Sequence, residues 1–433
     1  MSFFAFGVIV LAVIVLGAGG NSQALGALFT APLLLVVTYG IARRIATADN
    51  NPQLVPILMG GLCLKLIGSL VRYWVSSGLY GTGDFYDYDK WGRTIAAGLR
   101  HGHLVGLNGR LAGTDFMRYV TGYIYTVTPA RMMSGFVVYG WLSFIGLLFF
   151  WRAYRVAISD RHDVTYLTWL LVLPSMLYWP SAIGKDAFMM LAGGIAAYGV
   201  ACLFANRTLA GLAGVAVGIL GMVMVRPHFA LAVCGGLGLA VLLKRNRGGI
   251  MRTLVNVAFV VALGAIVVQS ASTFFGISTF NRQAIVAELN DASSQTAEGG
   301  SHFTPVVVTS PLQFPLAAVT VLYRPLPYEA HSAQEMLTAF EGLALVVLTM
   351  RAFRRSMRAL RYSRDYPYLL YCIGAIMVFI IAFSGFSNFG ILARERTVIQ
   401  PLFLVFLSLP ADIDGLFRPS NRRAPRAQLP ANW

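Results

Sequence analysis

Residues 208–243 of the chain read TLAGLAGVAVGILGMVMVRPHFALAVCGGLGLAVLL. Two apolar runs, at 208–225 and 228–243, lie on either side of an Arg-Pro-His turn at 226–228. Each run approaches the roughly 20 residues with which a helix crosses a hydrocarbon core of about 30 Å, and Pro227 cannot continue a helix from the first run. The stretch therefore predicts two membrane-spanning helices joined by a tight hairpin.

The composition of the whole chain of 433 residues extends this prediction. Hydrophobic residues make up 57% of the chain and charged residues 12%, with a mean hydropathy of +0.66, which is far from the composition of a water-soluble domain. We predict an all-α, polytopic helical bundle of the cytoplasmic (inner) membrane. The about twelve spans that we predict are residues 3–19, 24–42, 54–77, 132–151, 164–181, 186–205, 208–225, 228–243, 253–271, 336–350, 367–384 and 397–411.

The net charge of +16 is distributed unevenly over the predicted loops. If the N-terminus is cytoplasmic, twenty of the 34 basic residues but only six of the 18 acidic residues lie in cytoplasmic segments. The outer segments then hold twelve basic and eleven acidic residues. Because an excess of Lys and Arg marks cytoplasmic loops, we predict that both termini are cytoplasmic. The excess then sets the orientation, and it does not indicate a nucleic-acid partner.

The loop lengths predict one transmembrane domain over residues 1–411 with two long outer loops, at about 78–131 and 272–335. Residues 412–433, rich in Pro, Arg and Asn, predict a disordered, basic cytoplasmic tail. The chain has no glycine-rich loop of the kind that binds nucleotide phosphates, which disfavours an ATP-driven pump.

Ionisable residues cluster at the outer ends of the predicted spans, where they are costly and therefore indicate function. The run PSMLYWPSAIGKD at 174–186 places a Lys185-Asp186 pair in a tight turn, with Trp179 at the membrane interface. Lys185 can donate to a phosphate or sugar oxygen, and Asp186 can orient it. The alternative is that both residues only anchor the helix at the interface.

Three further outer segments carry arginine. Arg226 in the Arg-Pro-His turn is suited to clamping phosphate through its planar guanidinium group. The segment YRPLPYE at 323–329 is stiffened by two prolines and presents Arg324 and Glu329. The segment SNFGILARER at 387–396 holds Arg394 and Arg396, which a helix would place on different faces. Interfacial anchoring or bracing of a loop is the structural alternative for each.

The first outer loop alternates carboxylates with aromatic rings in the run GDFYDYD at 83–89. Asp84 and Tyr86 suit a sugar ring and its hydroxyl groups, and carboxylates of this kind can also hold a divalent cation. The spacing does not fit a calcium-binding loop. An ordinary acidic loop at the membrane interface remains the alternative reading.

Lys65 and Arg72 lie inside the third predicted span, seven residues apart. Two helical turns place them on one face of the helix. We expect this face to point into the bundle, for either a structural or a catalytic purpose.

Together these residues describe a site for a large anionic ligand with a polar head. A polyprenyl-pyrophosphate-linked glycan fits, since its lipid lies in the bilayer, its pyrophosphate meets cations, and its sugar faces the outer loops. Glycosyl transfer requires stabilisation of the leaving pyrophosphate and a base for the acceptor hydroxyl. The predicted ligand-binding residues are Lys185, Arg226, Arg324, Arg394, Arg396, Tyr86 and Trp179, and the predicted catalytic residues are Asp84, Asp186, His228 and Glu329. We predict no cofactor and no metal for this reaction.

Three of these motifs, at 174–186, 226–228 and 388–396 (the last reading NFGILARER), resemble those of Wzy-type polymerases and related polysaccharide-assembly membrane proteins of bacteria. The resemblance implies block transfer of an undecaprenyl-pyrophosphate-linked repeat unit onto a growing cell-surface polysaccharide at the outer face of the cytoplasmic membrane. It also implies that the outer arginines are the key residues and that other polysaccharide-assembly membrane proteins are partners.

Two alternatives stay open at this point. A membrane glycosyltransferase of the GT-C class uses a polyprenyl-phosphate sugar donor, commonly with a divalent cation, and keeps a catalytic carboxylate in an early outer loop like that of Asp84. A transporter or flippase of lipid-linked saccharide is the other alternative. It requires charged residues at mid-bilayer and broken helices in symmetric positions.

Overall fold

The computed structural model describes residues 22–106, 111–159, 163–245, 250–275, 282–297 and 301–417. These residues are 82% helical and include no strand, so the all-α prediction is confirmed for them. One isolated backbone bridge joins His302 to Asn388. The first predicted span, 3–19, and the tail from residue 418 onward lie outside the described residues.

Seventeen α-helices are present in the described part of the chain. They are α1 (Ser22–Ala48), α2 (Leu54–Trp74), α3 (Asp84–Arg100), α4 (Thr114–Val127), α5 (Met132–Ala157), α6 (Asp163–Val172), α7 (Pro174–Tyr178), α8 (Lys185–Phe204), α9 (Thr208–Val225), α10 (Pro227–Leu243), α11 (Ile250–Phe275), α12 (Arg282–Thr296), α13 (Phe314–Tyr323), α14 (Ala333–Leu360), α15 (Pro367–Phe383), α16 (Phe389–Leu407) and α17 (Ile413–Phe417). A π-helical segment, Val75–Tyr80, continues α2.

Six helical segments in the described residues are long and apolar enough to cross a membrane. They are Gln23–Ala48, Leu54–Tyr80, Met132–Ala157, Lys185–Phe204, Thr208–Val225 and Gln334–Leu360. Shorter apolar helical segments, such as Pro227–Leu243 and Pro367–Phe383, accompany them. The chain is therefore a helical membrane protein.

Three predicted spans differ most from the helices in the structure. Residues 164–181 do not form one helix, because Pro174 starts a new helix after α6 and a 3-10 turn follows at Trp179–Ser181. Helix α14 continues through its arginines to Leu360, because arginine is a good helix former. Helix α16 begins at Phe389, where the Asn388 side chain accepts a hydrogen bond of 3.1 Å from the Ile391 N–H.

The first long loop contains two helices, α3 and α4, that hydropathy does not identify. The buried residues of α3, among them Phe85, Tyr88 and Ile95, recur at helical spacing. The two helices pack closely through glycine, since a Cβ atom on Gly122 would lie 2.4 Å from the Ile95 side chain. The loop is therefore a packed helical pair.

The chain divides into two compact units. Unit 1 comprises Met1–Gly146, Met176–Leu191 and Asp414–Trp433, and unit 2 comprises Leu147–Ser175 and Ala192–Ile413. Unit 1 thus contains α3 and α4, and unit 2 contains α9 to α16. Residues 413–417 of the predicted tail form the short helix α17.

Helices α8 and α9 pack through small residues in unit 2. A Cβ atom on Gly199 would lie 2.4 Å from the Val215 nitrogen, and one on Gly218 would lie 2.6 Å from the Ala196 nitrogen. Small residues let helix backbones approach closely in a membrane, where van der Waals packing replaces the hydrophobic driving force.

We expect Gly218→Leu to lower the stability of the chain by about 2–3 kcal/mol, because backbone atoms of α8 cannot move away from the new side chain. The midpoint of thermal unfolding in detergent measures this change. Gly238→Leu is the matched control, since no atom lies within 4 Å of a Cβ atom at that position of α10. Equal shifts for the two variants would contradict the proposed packing.

Candidate functional site

Arg226 lies in the turn between α9 and α10, and its guanidinium group binds a carboxylate from a distant helix. The Arg226 Nη1 atom donates to Oε2 of Glu395 in α16. Both side chains are largely buried, at 13% and 7% exposure. Pro227 occupies the first position of α10, where its fixed φ angle is suited to the start of a helix. A buried ion pair thus joins two of the predicted outer segments.

Arg324 follows α13 and is held on three sides. Its Nε atom donates to Glu329 Oε1 over 2.9 Å, and its Nη2 atom donates to the same oxygen. The guanidinium group also lies over the rings of Phe303 and Phe389, 4.9 and 5.0 Å from their centroids. These two rings stack on each other at 4.1 Å. The geometry combines a forked ion pair with cation–π contacts.

Glu329 is the carboxylate partner of Arg324. Burial alone raises the pKa of its carboxyl group, but hydrogen bonds from Arg324 and from the Leu326 N–H, with the positive charge of Arg324, lower that pKa below its ordinary value. A carboxylate with a lowered pKa is a weak base. The geometry therefore favours Glu329 as an ion-pair partner over its predicted role as catalytic base.

Arg396 is buried in α16 at 1% exposure. Its Nη1 atom donates to the carbonyl oxygens of Leu322 and Arg324 over 2.9 and 3.0 Å, at the end of α13. Within the described residues, its Nε and Nη2 atoms have no hydrogen-bond partner. Arg396 therefore fixes the backbone that carries Arg324 and keeps two further donors for another acceptor.

Arg394 and Arg396 lie on different faces of α16 and differ in burial, as their spacing in a helix requires. Positions two apart lie about 200° apart around the helix axis, and Arg394 is half-buried whereas Arg396 is buried. Glu395, which lies between these two arginines and was not among the predicted site residues, is buried and binds Arg226. Its apolar surroundings in α16 are the sequence signal that could have identified it, because a charge is costly there.

His228 is the second residue of α10, directly after the Arg226-Pro227 turn. Its ring lies 4.9 Å from the Phe229 ring and 5.5 Å from the Phe383 ring at the end of α15. The side chain is half-buried. This predicted catalytic residue therefore lies in unit 2, close in sequence to Arg226.

A buried polar network around Glu341 was not predicted as part of the site. The Glu341 carboxylate in α14 accepts hydrogen bonds from the Ser175 N–H over 2.7 Å, the Ser175 hydroxyl over 2.5 Å and the Gln400 amide over 2.8 Å. Gln400 follows Arg396 by one turn of α16, so the two share a face. The negative charge of Glu341 also acts on Arg396.

In unit 1, the turn at 176–179 packs on one face of α2. Lys65 donates to the Met176 carbonyl oxygen over 2.5 Å. Arg72 donates to the Tyr178 hydroxyl over 2.9 Å and lies over the Trp179 ring at 4.9 Å. The prediction that Lys65 and Arg72 share a face is confirmed. Trp179 is buried at 6% exposure, which is a packing position and not the open sugar-binding face expected.

Lys185 and Asp186 begin α8 in unit 1. Lys185 is half-buried and Asp186 is buried. Gly184 precedes them with φ = +153°, in the region that favours glycine. A carboxylate in the first turn of a helix is stabilised by the helix dipole. Asp186 therefore has a structural reason for its position besides the predicted catalytic one.

The acidic residues of the first outer loop occupy different environments on α3. Asp84 and Tyr86 are exposed near its start. Arg118 of α4 binds both oxygens of Asp87, each over 2.8 Å. Asp89 is buried and accepts a hydrogen bond of 2.7 Å from the Tyr125 hydroxyl. The predicted catalytic carboxylate, Asp84, is thus exposed, and the folded helix buries Asp89 instead.

Asp89 also forms an ion pair of 2.5 Å with Arg93, one turn further along α3. Burial raises the pKa of its carboxyl group, and the hydrogen bond from Tyr125 and the charge of Arg93 only partly oppose this. A carboxyl group with a raised pKa is suited to exchange a proton near neutral pH. Among the described residues, no group of three or more His, Cys, Asp or Glu side chains is arranged to hold a metal ion.

The predicted site residues therefore separate by unit. In unit 2, contacts link Arg226, Arg324, Arg396 and Glu329 with the additional residue Glu395, and we call these five residues the arginine cluster. Unit 1 contains the other predicted set, which is Asp84, Tyr86, Trp179, Lys185 and Asp186. No family of known proteins, no curated protein and no solved structure matches the chain.

Proposed function

We propose that the chain is a glycosyltransferase of the polymerase type, which joins undecaprenyl-pyrophosphate-linked oligosaccharide repeat units into a cell-surface polysaccharide. It acts at the outer face of the cytoplasmic membrane, through about twelve spans with both termini in the cytoplasm. The uneven distribution of Lys and Arg supports this orientation. In this arrangement the arginine cluster lies on the outer side.

The proposal rests on the observation that Arg226 and the Arg324 backbone are bound by two adjacent residues of α16, Glu395 and Arg396. Arg226 and Arg324 come from turns after α9 and α13, and Arg396 comes from the interior of α16. An Arg396 hydrogen bond of 3.0 Å to the Arg324 backbone and the Glu395 ion pair of Arg226 connect them. Such clusters are costly in a membrane protein, and forked guanidinium groups recognise phosphate oxygens well.

The proposed reaction uses these charges on the leaving group. The bond between the anomeric carbon and the pyrophosphate oxygen breaks, and the lipid pyrophosphate leaves with the electron pair. The acceptor hydroxyl oxygen bonds to the anomeric carbon and gives its proton to a base. Within unit 2, which also holds the arginine cluster, His228 is the candidate base. Preorganised cations stabilise the developing negative charge without a metal.

A transporter of lipid-linked saccharide is the second candidate, and a specific observation favours it. The predicted span 164–181 is interrupted between helices α6 and α7. Lys65, within another predicted span, is buried at 1% exposure. Broken helices and buried charges are features of transporters. The GT-C alternative, in which Asp84 and Asp87 would hold a divalent cation, gains less support, because Arg118 already binds both oxygens of Asp87.

The decisive experiment replaces the chromosomal copy with variants and measures the polysaccharide chain-length distribution on gels. We expect Arg226→Met to reduce long chains by about a hundredfold or more and to leave single repeat units at the cell surface. Glu395→Gln should retain long chains, because it frees Arg226 from its ion pair while keeping a side chain of the same size. Arg207→Met, at an exposed position, is the control.

Each other outcome would contradict the proposal in a distinct way. An unchanged distribution for Arg226→Met would show that this arginine does not serve polymerisation. Equal losses for Arg226→Met and Glu395→Gln would show that only the ion pair matters. Repeat units that stay inaccessible to reagents outside the cell would identify the transporter instead.

A further inference from the structure

The last three turns of α14 extend beyond its apolar part and carry a row of arginines. The helix has 28 residues, a length of about 42 Å, which exceeds the roughly 30 Å of a hydrocarbon core. Its arginines begin at Arg351. This end of α14 therefore reaches the level of the lipid headgroups.

One face of this segment packs on the protein. Arg355 donates to the Leu407 carbonyl oxygen over 2.5 Å, and the Ser356 hydroxyl donates to the Phe406 carbonyl oxygen over 3.2 Å. Ala352 and Ala359, on the same face, are fully buried. The end of α16 thus fixes the rotation of α14 about its axis.

Two other faces of this segment are exposed, and one carries arginines while the other carries apolar side chains. Arg351, Arg354 and Arg358 of α14, with Arg361 directly after its last residue, are exposed and recur at spacings of three and four. They form one row along the helix, which we call the arginine stripe. Within the described part of the chain, no acidic side chain forms an ion pair with any of the four. The next face presents exposed apolar side chains, which are Met350, Phe353 and Met357, at 72%, 56% and 46% exposure.

This pairing of faces matches the boundary of a bilayer. An exposed apolar row is favourable against acyl chains, and cations beside it then meet the headgroup phosphates. An arginine row that only solvated the helix would not require the adjacent apolar row. We propose that the arginine stripe is a binding site for anionic phospholipid headgroups, with Met350, Phe353 and Met357 in contact with the acyl chains. This site is independent of the proposed glycosyl transfer.

The test uses the purified full-length chain in detergent with equimolar phosphatidylglycerol and phosphatidylcholine of identical acyl chains. Native mass spectrometry counts the retained lipids. We expect the wild-type chain to retain phosphatidylglycerol preferentially. In the variant R351Q/R354Q/R358Q/R361Q, the ratio of retained phosphatidylglycerol to phosphatidylcholine should fall by more than about tenfold. Each arginine near an anionic surface contributes about a fivefold factor to binding.

The matched control is R43Q/R44Q/R207Q/R245Q, which removes four exposed arginines at other helix ends and changes the net charge equally. It should keep the preference. Equal losses in both variants would overturn the proposal, since net charge alone would then explain binding. Equal retention of the two lipids by the wild-type chain would overturn it as well, as would displacement of phosphatidylglycerol by excess inorganic phosphate.

Folding is checked by the midpoint of thermal unfolding in lipid-free detergent, which should be unchanged in the stripe variant. If the midpoint falls, R354Q and R358Q are measured singly. Each should then lower the preference by about fivefold at an unchanged midpoint, and no effect in either would overturn the proposal.

Discussion

Glu341→Ala is expected to destabilise the chain by about 3–5 kcal/mol, the range for removing one partner of a buried charged network. The carboxylate is 5% exposed. Its loss leaves the Ser175 N–H and hydroxyl and the Gln400 amide without their acceptor, and buried unsatisfied donors are costly. Arg396 also loses a nearby negative charge. The midpoint of thermal unfolding in detergent should therefore fall strongly.

Two comparisons test this explanation. Glu335→Ala, on the same helix, removes a carboxylate that accepts from the His331 N–H at the start of α14, and it should cost only about 1 kcal/mol. Glu341→Gln keeps an acceptor of the same shape and should lie between the two. A Glu341→Ala shift no larger than that of Glu335→Ala would show that the buried network does not stabilise the fold.

Arg396→Ala is expected to abolish long polysaccharide chains, whereas Arg394→Ala should leave them nearly unchanged. Arg396 holds the two carbonyl oxygens that end α13 and thereby places Arg324, while Arg394 is half-buried on another face of α16. We expect at least about a hundredfold less polymer for Arg396→Ala, as for the loss of one preorganised donor. Gels of chain length, with immunoblots of protein level, measure both variants.

Loss of folding is separated from loss of function by Arg324→Lys, which keeps a cation beside the Glu329 carboxylate, 13% exposed, and removes the planar fork. It should leave the unfolding midpoint almost unchanged and still remove most long chains. Arg396→Lys should recover only part of the product, because an ammonium group cannot reproduce the planar fork. Normal polymer from Arg396→Ala together with none from Arg394→Ala would reverse the assignment of the two arginines.

The sequence predicts a structural element well when the residues that cause it lie within the element itself. Helices α9 and α10 follow directly from their apolar runs and from Pro227 between them. The break between α6 and α7 and the 3-10 turn after α7 also have local signals, Pro174 and Pro180, but hydropathy averaged over a window does not register them. The helical pair of the first outer loop has amphipathic spacing and too little apolar content to be identified as a span.

The candidate site shows the same division. Arg226, Arg324 and Arg396 were selected by residue type and position, and Glu395 and Glu341 also lie beside or within apolar runs, but the groups that these carboxylates bind do not follow from the sequence. Asp84 and Asp89 lie five residues apart on α3, and only the packing of α4 determines that Asp89 is the buried one. Sequence patterns of this kind identify charged residues that are energetically costly where they lie, but they do not identify the groups that those residues bind.

By itself, the sequence determined that this protein is a helical membrane protein and which residues are costly where they lie. Both follow from local quantities, which are the apolar content of each segment and the chemistry of each side chain. The tertiary structure decided which charges meet. Arg226 and Glu395 are 169 residues apart, and the Arg396 hydrogen bond to Arg324 spans 72 residues. Such pairs form because packed helices bring distant turns together, and no local pattern in the chain encodes that approach.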